Sequence, residues 1–138
     1  MVTTPGVAVP PAPSRIPGPR HARPPDPRYL AGIELFNRGE YFDAHEAWEE
    51  LWMDCPAADR RFYQSLIQAA VSLYHCGRGN RAGAERLFAS GRKYMAPYRP
   101  ARHGLDADDF WRQVAAALAG PPGPAPRITL APPTGGPP

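Results

Sequence analysis

His45 and Glu49 stand four residues apart in a stretch, Glu40 to Asp54, that reads as one amphipathic helix. At 100° per residue such a pair shares a helix face. That face is otherwise aromatic, with Tyr41, Phe42, Trp48 and Trp52, while Asp43, Glu46, Glu50 and Asp54 fall on the opposite, solvated side. An imidazole and a carboxylate set among aromatics need partners, because a buried charge without one costs on the order of several kcal/mol. One turn of spacing also lets both side chains reach a single divalent ion. His45-Glu46-x-x-Glu49 echoes a zinc-protease helix with Glu in place of the second His, but the wheel turns Glu46 away from the pocket.

The partners are expected from the next helix. From Phe62 to Gly77 there is no charged residue, so this helix should be the central one. Gln64, Gln68 and His75 make a polar line on it, beside an apolar face of Leu66, Ile67, Ala70, Leu73 and Tyr74. A short connection around Pro56 makes the two helices antiparallel and sets Glu49 level with Gln64 and Gln68. Three functional classes follow. The favoured one is a buried hydrogen-bond network of His45, Glu49, Gln64 and Gln68 that fixes the register of the two helices. The second is a divalent-metal or small-molecule pocket, hydrolase-like in chemistry. Its ligands for zinc or manganese would be His45, Glu49 and His75, with Gln64, Gln68, Trp48 and Trp52 against the bound molecule. His75 lies about 7 Å further along the axis than His45, so the spacing suits two ligands better than three. The third is a helical adaptor that takes a protein partner, or a second copy as a homodimer, in its grooves. Trp48 and Trp52 are equally at home as core anchors.

Proline sets the limits of the folded part. Of 20 prolines, eight lie in residues 1–25 and eight in 120–138. Residues 1–26 and 120–138 are therefore expected to be disordered Pro-rich arms, flanking one domain over 27–119. The fold class expected is all-α: a small up-and-down bundle of four to five helices, built from two helix-turn-helix hairpins, with no strand. Helix 1 should run from Pro27 to a stop at Asn37-Arg38-Gly39, where Gly39 takes the left-handed capping conformation. Helix 2 ends at Pro56, helix 3 is capped by Asp59 and broken at Gly77 and Gly79, helix 4 is capped by Asn80, and helix 5 runs from Asp106 to Ala119. Gly39, Ala44 and Trp48 are echoed by Gly79, Ala84 and Phe88, as two stacked hairpins would require.

Charge narrows the partners. Net charge is +3, and the arms supply it, since 27–119 carries 12 acidic and 12 basic residues. Glu34 to Asp59 is acidic and Arg78 to Arg102 basic, but the bases lack interleaved stacking aromatics, which disfavours nucleic acid. Two cysteines without a CxxC spacing fit a reducing compartment. No run reaches the roughly 18 apolar residues of a membrane span. A cytoplasmic protein is expected.

The string Phe36-Asn37-Arg38-Gly39-Glu40-Tyr41-Phe42-Asp43-Ala44-His45-Glu46-Ala47-Trp48-Glu49-Glu50-Leu51-Trp52 resembles the signature of the domain of unknown function 309 (DUF309) family. Gln64-Ser65-Leu66-Ile67-Gln68-Ala69-Ala70, Tyr74-His75, Gly79-Asn80 and Gly83-Ala84 extend the likeness, which covers about Tyr29 to Tyr98. The resemblance implies a small all-helical bundle. It brings no agreed activity, though relatives are sometimes loosely labelled metal-dependent hydrolases.

Overall fold

The computed structural model describes residues 24–120 and 124–132. Of the arm expected over residues 1–26, residues 1–23 lie outside them, as do 121–123 and 133–138 of the tail expected over 120–138. Five α-helices follow one another in Pro25–Leu130: α1 (Pro27–Asn37), α2 (Tyr41–Asp54), α3 (Arg60–Gly77), α4 (Arg81–Met95) and α5 (Ala107–Ala119). The all-α expectation holds, and each helix begins and ends close to where the sequence signals put it.

Local chemistry explains the boundaries. Asp26 caps α1 by accepting from the Arg28 amide at 2.8 Å, and Pro27 occupies the first helical position, where its missing N–H is no loss. The two interhelical turns are one motif used twice. Gly39 and Gly79 both sit at φ +81°, and the following amides, Glu40 and Asn80, donate back to Leu35 and His75 at 2.9 Å. This is the 6→1 bond of a Schellman stop, which needs a residue free to turn left-handed. Asn80 then caps α4 through the Gly83 amide, and Asp106 caps α5 through the Asp109 amide.

α3 is the central helix, as its lack of charge implied, with α2 on one side and α4 on the other. Phe62, Leu66, Ala69 and Ala70 are fully buried on it. Small residues let the backbones close in: Ser65 is buried and donates to the Gly91 carbonyl at 2.7 Å, and a Cβ at Gly91 would lie 2.8 Å from the Trp111 ring. On the other side, Gly32 of α1 leaves the space that the Trp48 indole of α2 fills, while Trp48 Nε1 donates to the Tyr29 carbonyl at 3.2 Å. Phe36 packs between Trp48 and Phe110 and joins α1, α2 and α5.

Two features depart from the sequence expectation. A two-residue antiparallel ladder, β1 (Ala101–Arg102) and β2 (Leu105–Asp106), precedes α5. His103 and Gly104 connect it with positive φ angles of 51° and 77°, the handedness that two-residue hairpins use. The second departure is the tail expected to be disordered from 120. Ile128 is only 4% exposed, Pro126 is buried and Leu130 packs partly against the core, so this stretch is part of the domain. Proline content misleads here because an extended strand of alternating apolar residues docks without any helix to disrupt.

Candidate functional site

The side chains singled out on α2 and α3 are only partly brought together. His45 Nδ1 lies 2.5 Å from the Phe42 carbonyl, which can only accept, so Nδ1 carries a proton and Nε2 faces Glu49. The Nε2–Oε1 distance is 3.9 Å, beyond a hydrogen bond and an ion pair only when the ring is protonated. Glu49 is 54% exposed, not enclosed. Gln68 turns away from it and accepts from Ser90 of α4, and Gln64 is half-buried. The expected buried network of His45, Glu49, Gln64 and Gln68 is therefore not formed. The physical reason is the position of the buried stripe: α2 buries Ala44, Trp48 and Leu51, and Glu49 falls about 100° round from Trp48.

Of the metal set, His45 and Glu49 are neighbours and His75 is not with them; it sits in the last turn of α3 against the Tyr74 ring. Among the described residues no three His, Cys, Asp or Glu side chains gather as an ion would need. Trp48 is fully buried and touches no surface, so it is a core anchor. Trp52 is half-buried under the Arg60 guanidinium, which lies 4.2 Å over its ring, and its Nε1 is buried without an acceptor. Phe42, which the wheel placed inside, is exposed and packs on the rings of His45 and Tyr74.

The buried carboxylate of the domain is Asp59, at the start of α3. It makes no side-chain cap. Its Oδ1 instead accepts from Arg102 Nη2 at 2.7 Å, Arg102 Nε at 3.2 Å and His103 Nε2 at 2.9 Å. Burial pushes the Asp59 carboxyl up, but these hydrogen bonds and the charges behind them outweigh it and hold the group below its ordinary value. The His103 ring stacks parallel to Tyr63, and its carbonyl accepts from the Tyr29 hydroxyl at 2.9 Å. Burial raises both phenols, and burial together with the Asp59 charge raises the nearby Cys55 thiol, so these groups stay neutral. The cluster ties the β1–β2 turn to α3. Sequence gives no cue to it, because Asp59 and its partners are 43 and 44 residues apart.

A cleft of about 560 Å³ opens between α4 and α5, lined by Phe88, Met95, Trp111 and three arginines, Arg92, Arg99 and Arg112. Asp108 also lines it and holds Arg99 at 2.5 Å; Arg112 is tied to Asp109 at 2.6 Å. Arg92 lies over the Phe88 ring, with no carboxylate partner among the described residues. Sequence showed this run of bases as charge but could not show Trp111 of α5 beneath it.

The fold now allows comparison with other proteins. Residues 29–87 match the family model described as domain of unknown function (DUF309), from Tyr29 of α1 to Leu87 of α4. Residues 29–87 belong to that family. The DUF309 stretch contains His45, Glu49, Gln64, Gln68 and His75, whereas Trp111, Arg112 and the docked tail lie beyond it. The chain is 38% identical over 77 residues to the uncharacterized protein YpuF of Bacillus subtilis (strain 168), an alignment covering 55% of this chain and 44% of YpuF. The aligned part is thus under half the length of that relative. No described helix is long and apolar enough to cross a membrane.

Proposed function

We propose that this chain is a helical interaction module whose α4–α5 cleft receives an acidic, apolar segment of a protein partner. The observation that carries the reading is the composition of the cleft, an aromatic and methionine floor under three arginines opposed by one lining carboxylate. Burial of an apolar side chain against Phe88, Met95 and Trp111 supplies affinity, and guanidinium groups at the rim select carboxylates through paired N–H donors. Trp and Arg are also the residues in which interface binding energy concentrates. Among the described residues no carboxylate pairs with Arg92, and Arg99 and Arg112 are exposed enough to exchange partners.

A pair of fluorescently labelled model peptides tests this, one of alternating Leu and Glu, the other of Leu and Lys. The acidic peptide should bind the full chain with an affinity that falls as salt rises, and Arg92→Ala with Arg112→Ala should weaken it at least tenfold. Equal binding of the two peptides, or binding indifferent to both arginines, would rule the reading out.

A second reading keeps the His45–Glu49 pair as a site for a divalent ion or small polar ligand. It is supported by Nε2 facing the carboxylate across 3.9 Å. A thermal melt with Zn²⁺ or Mn²⁺ should rise in the parent and not in His45→Ala; an unmoved parent melt excludes it.

A further inference from the structure

The docked segment is held through its backbone by two side-chain amides. Asn37 at the end of α1 brackets one residue with both ends of its amide: Nδ2 donates to the Ile128 carbonyl at 2.9 Å and Oδ1 accepts from the Ile128 amide at 2.7 Å. Gln113 of α5 does the same to the preceding residue, with Oδ-type acceptance replaced by its longer arm: Oε1 accepts from the Arg127 amide at 2.8 Å and Nε2 donates to the Arg127 carbonyl at 3.1 Å. Side chains alternate along the strand. Pro126, Ile128 and Leu130 turn towards the core, while Arg127 and Thr129 are exposed.

Both halves of peptide recognition are present. Two carboxamides satisfy consecutive peptide units, which any extended backbone offers, and buried alternate side chains supply the selectivity. None of the four bonds is a helix or sheet ladder bond, so the strand can leave without breaking a secondary-structure element. We infer that the groove between α1 and α5 is a receptor for an extended partner segment of the form Pro-x-Ile-x-Leu, and that residues 126–130 fill it in cis as a displaceable occupant. The partner's chemistry is read from the occupant itself: a proline that needs no donor, a β-branched residue in the buried place of Ile128, and a leucine in the partly buried place of Leu130. This groove lies on a different set of residues from the α4–α5 cleft and stands or falls independently of it.

The test uses the full chain carrying Ile128→Asp, which empties the groove without shortening the chain, and a fluorescein-labelled nonapeptide with the sequence of residues 124–132. The peptide should bind this variant saturably and the parent at least tenfold more weakly, because the parent's own strand competes at high effective concentration. Adding Asn37→Ala and Gln113→Ala to the variant, or placing Asp for Ile in the peptide, should each lose binding at least tenfold. No saturable binding to the folded variant, or binding that ignores Asn37, Gln113 and the isoleucine, would overturn the inference. Hydrogen exchange on the parent checks it without substitution. The Ile128 amide should exchange at least a hundredfold faster than the Leu66 and Ala70 amides of α3, through local opening. Exchange of all three together, or failure of the Ile128→Asp chain to fold, would mean that the strand cannot be displaced.

Discussion

At Asp59 three donors converge on one carboxylate oxygen, so a single atom ties α3 to the turn before α5. Asp59→Asn keeps the shape but sets an amide against Arg102 and His103, and should destabilise by about 1–3 kcal/mol, read from urea midpoints. The same group predicts a pH response. Its carboxyl is held below the ordinary 3.8 in the fold, so the native state binds fewer protons than the unfolded chain as acid is added. The stabilisation is complete above pH 3.8 and is lost as pH falls below it; the parent should lose stability more steeply there than Asp59→Asn. Glu49 behaves differently. Exposed and 3.9 Å from His45, it should tolerate Glu49→Gln with a loss below about 0.5 kcal/mol by chemical denaturation. The sequence placed Glu49 inside because Phe42 and Trp52 were counted as buried aromatics; one is exposed and the other half-covered by Arg60, and a helical wheel gives angle without depth.

Between elements, α1 and α2 pack tightly where the Trp48 indole occupies the space of a missing Gly32 side chain. Gly32→Ala should therefore be one of the most damaging single-methyl additions in the domain, about 3 kcal/mol or more by thermal melt, since neither backbone nor a fully buried indole can yield. Leu66→Ala at the centre of α3 should cost about 2–5 kcal/mol through lost burial and the cavity left behind. Helix extents and stops were legible because their causes are local: Gly39, Gly79, Asn80 and Asp106 each act within a few residues. The fit of Trp48 to Gly32 was not, since nothing in either neighbourhood announces the other. The β1–β2 turn escaped for a related reason, its His103-Gly104 pair being held by Tyr29 and Asp59 from distant parts of the chain.

For the molecule as a whole, the limit of the domain is residue 130, not 119. Removing everything after Ala119 takes away the buried Ile128 and leaves Asn37 and Gln113 without their backbone partners. The loss of a buried isoleucine alone is about 1.5–3 kcal/mol, so the truncated chain should still fold but melt roughly 10 °C lower. The alternation of Pro126, Ile128 and Leu130 with Arg127 and Thr129 was visible in the sequence as a period of two, masked by the prolines around it. Asn37 and Ile128 are also 91 residues apart. During synthesis α1 leaves the ribosome first and its cover follows every helix that the groove touches. The groove can therefore be covered in cis only after both helices that line it, α1 and α5, have been synthesised.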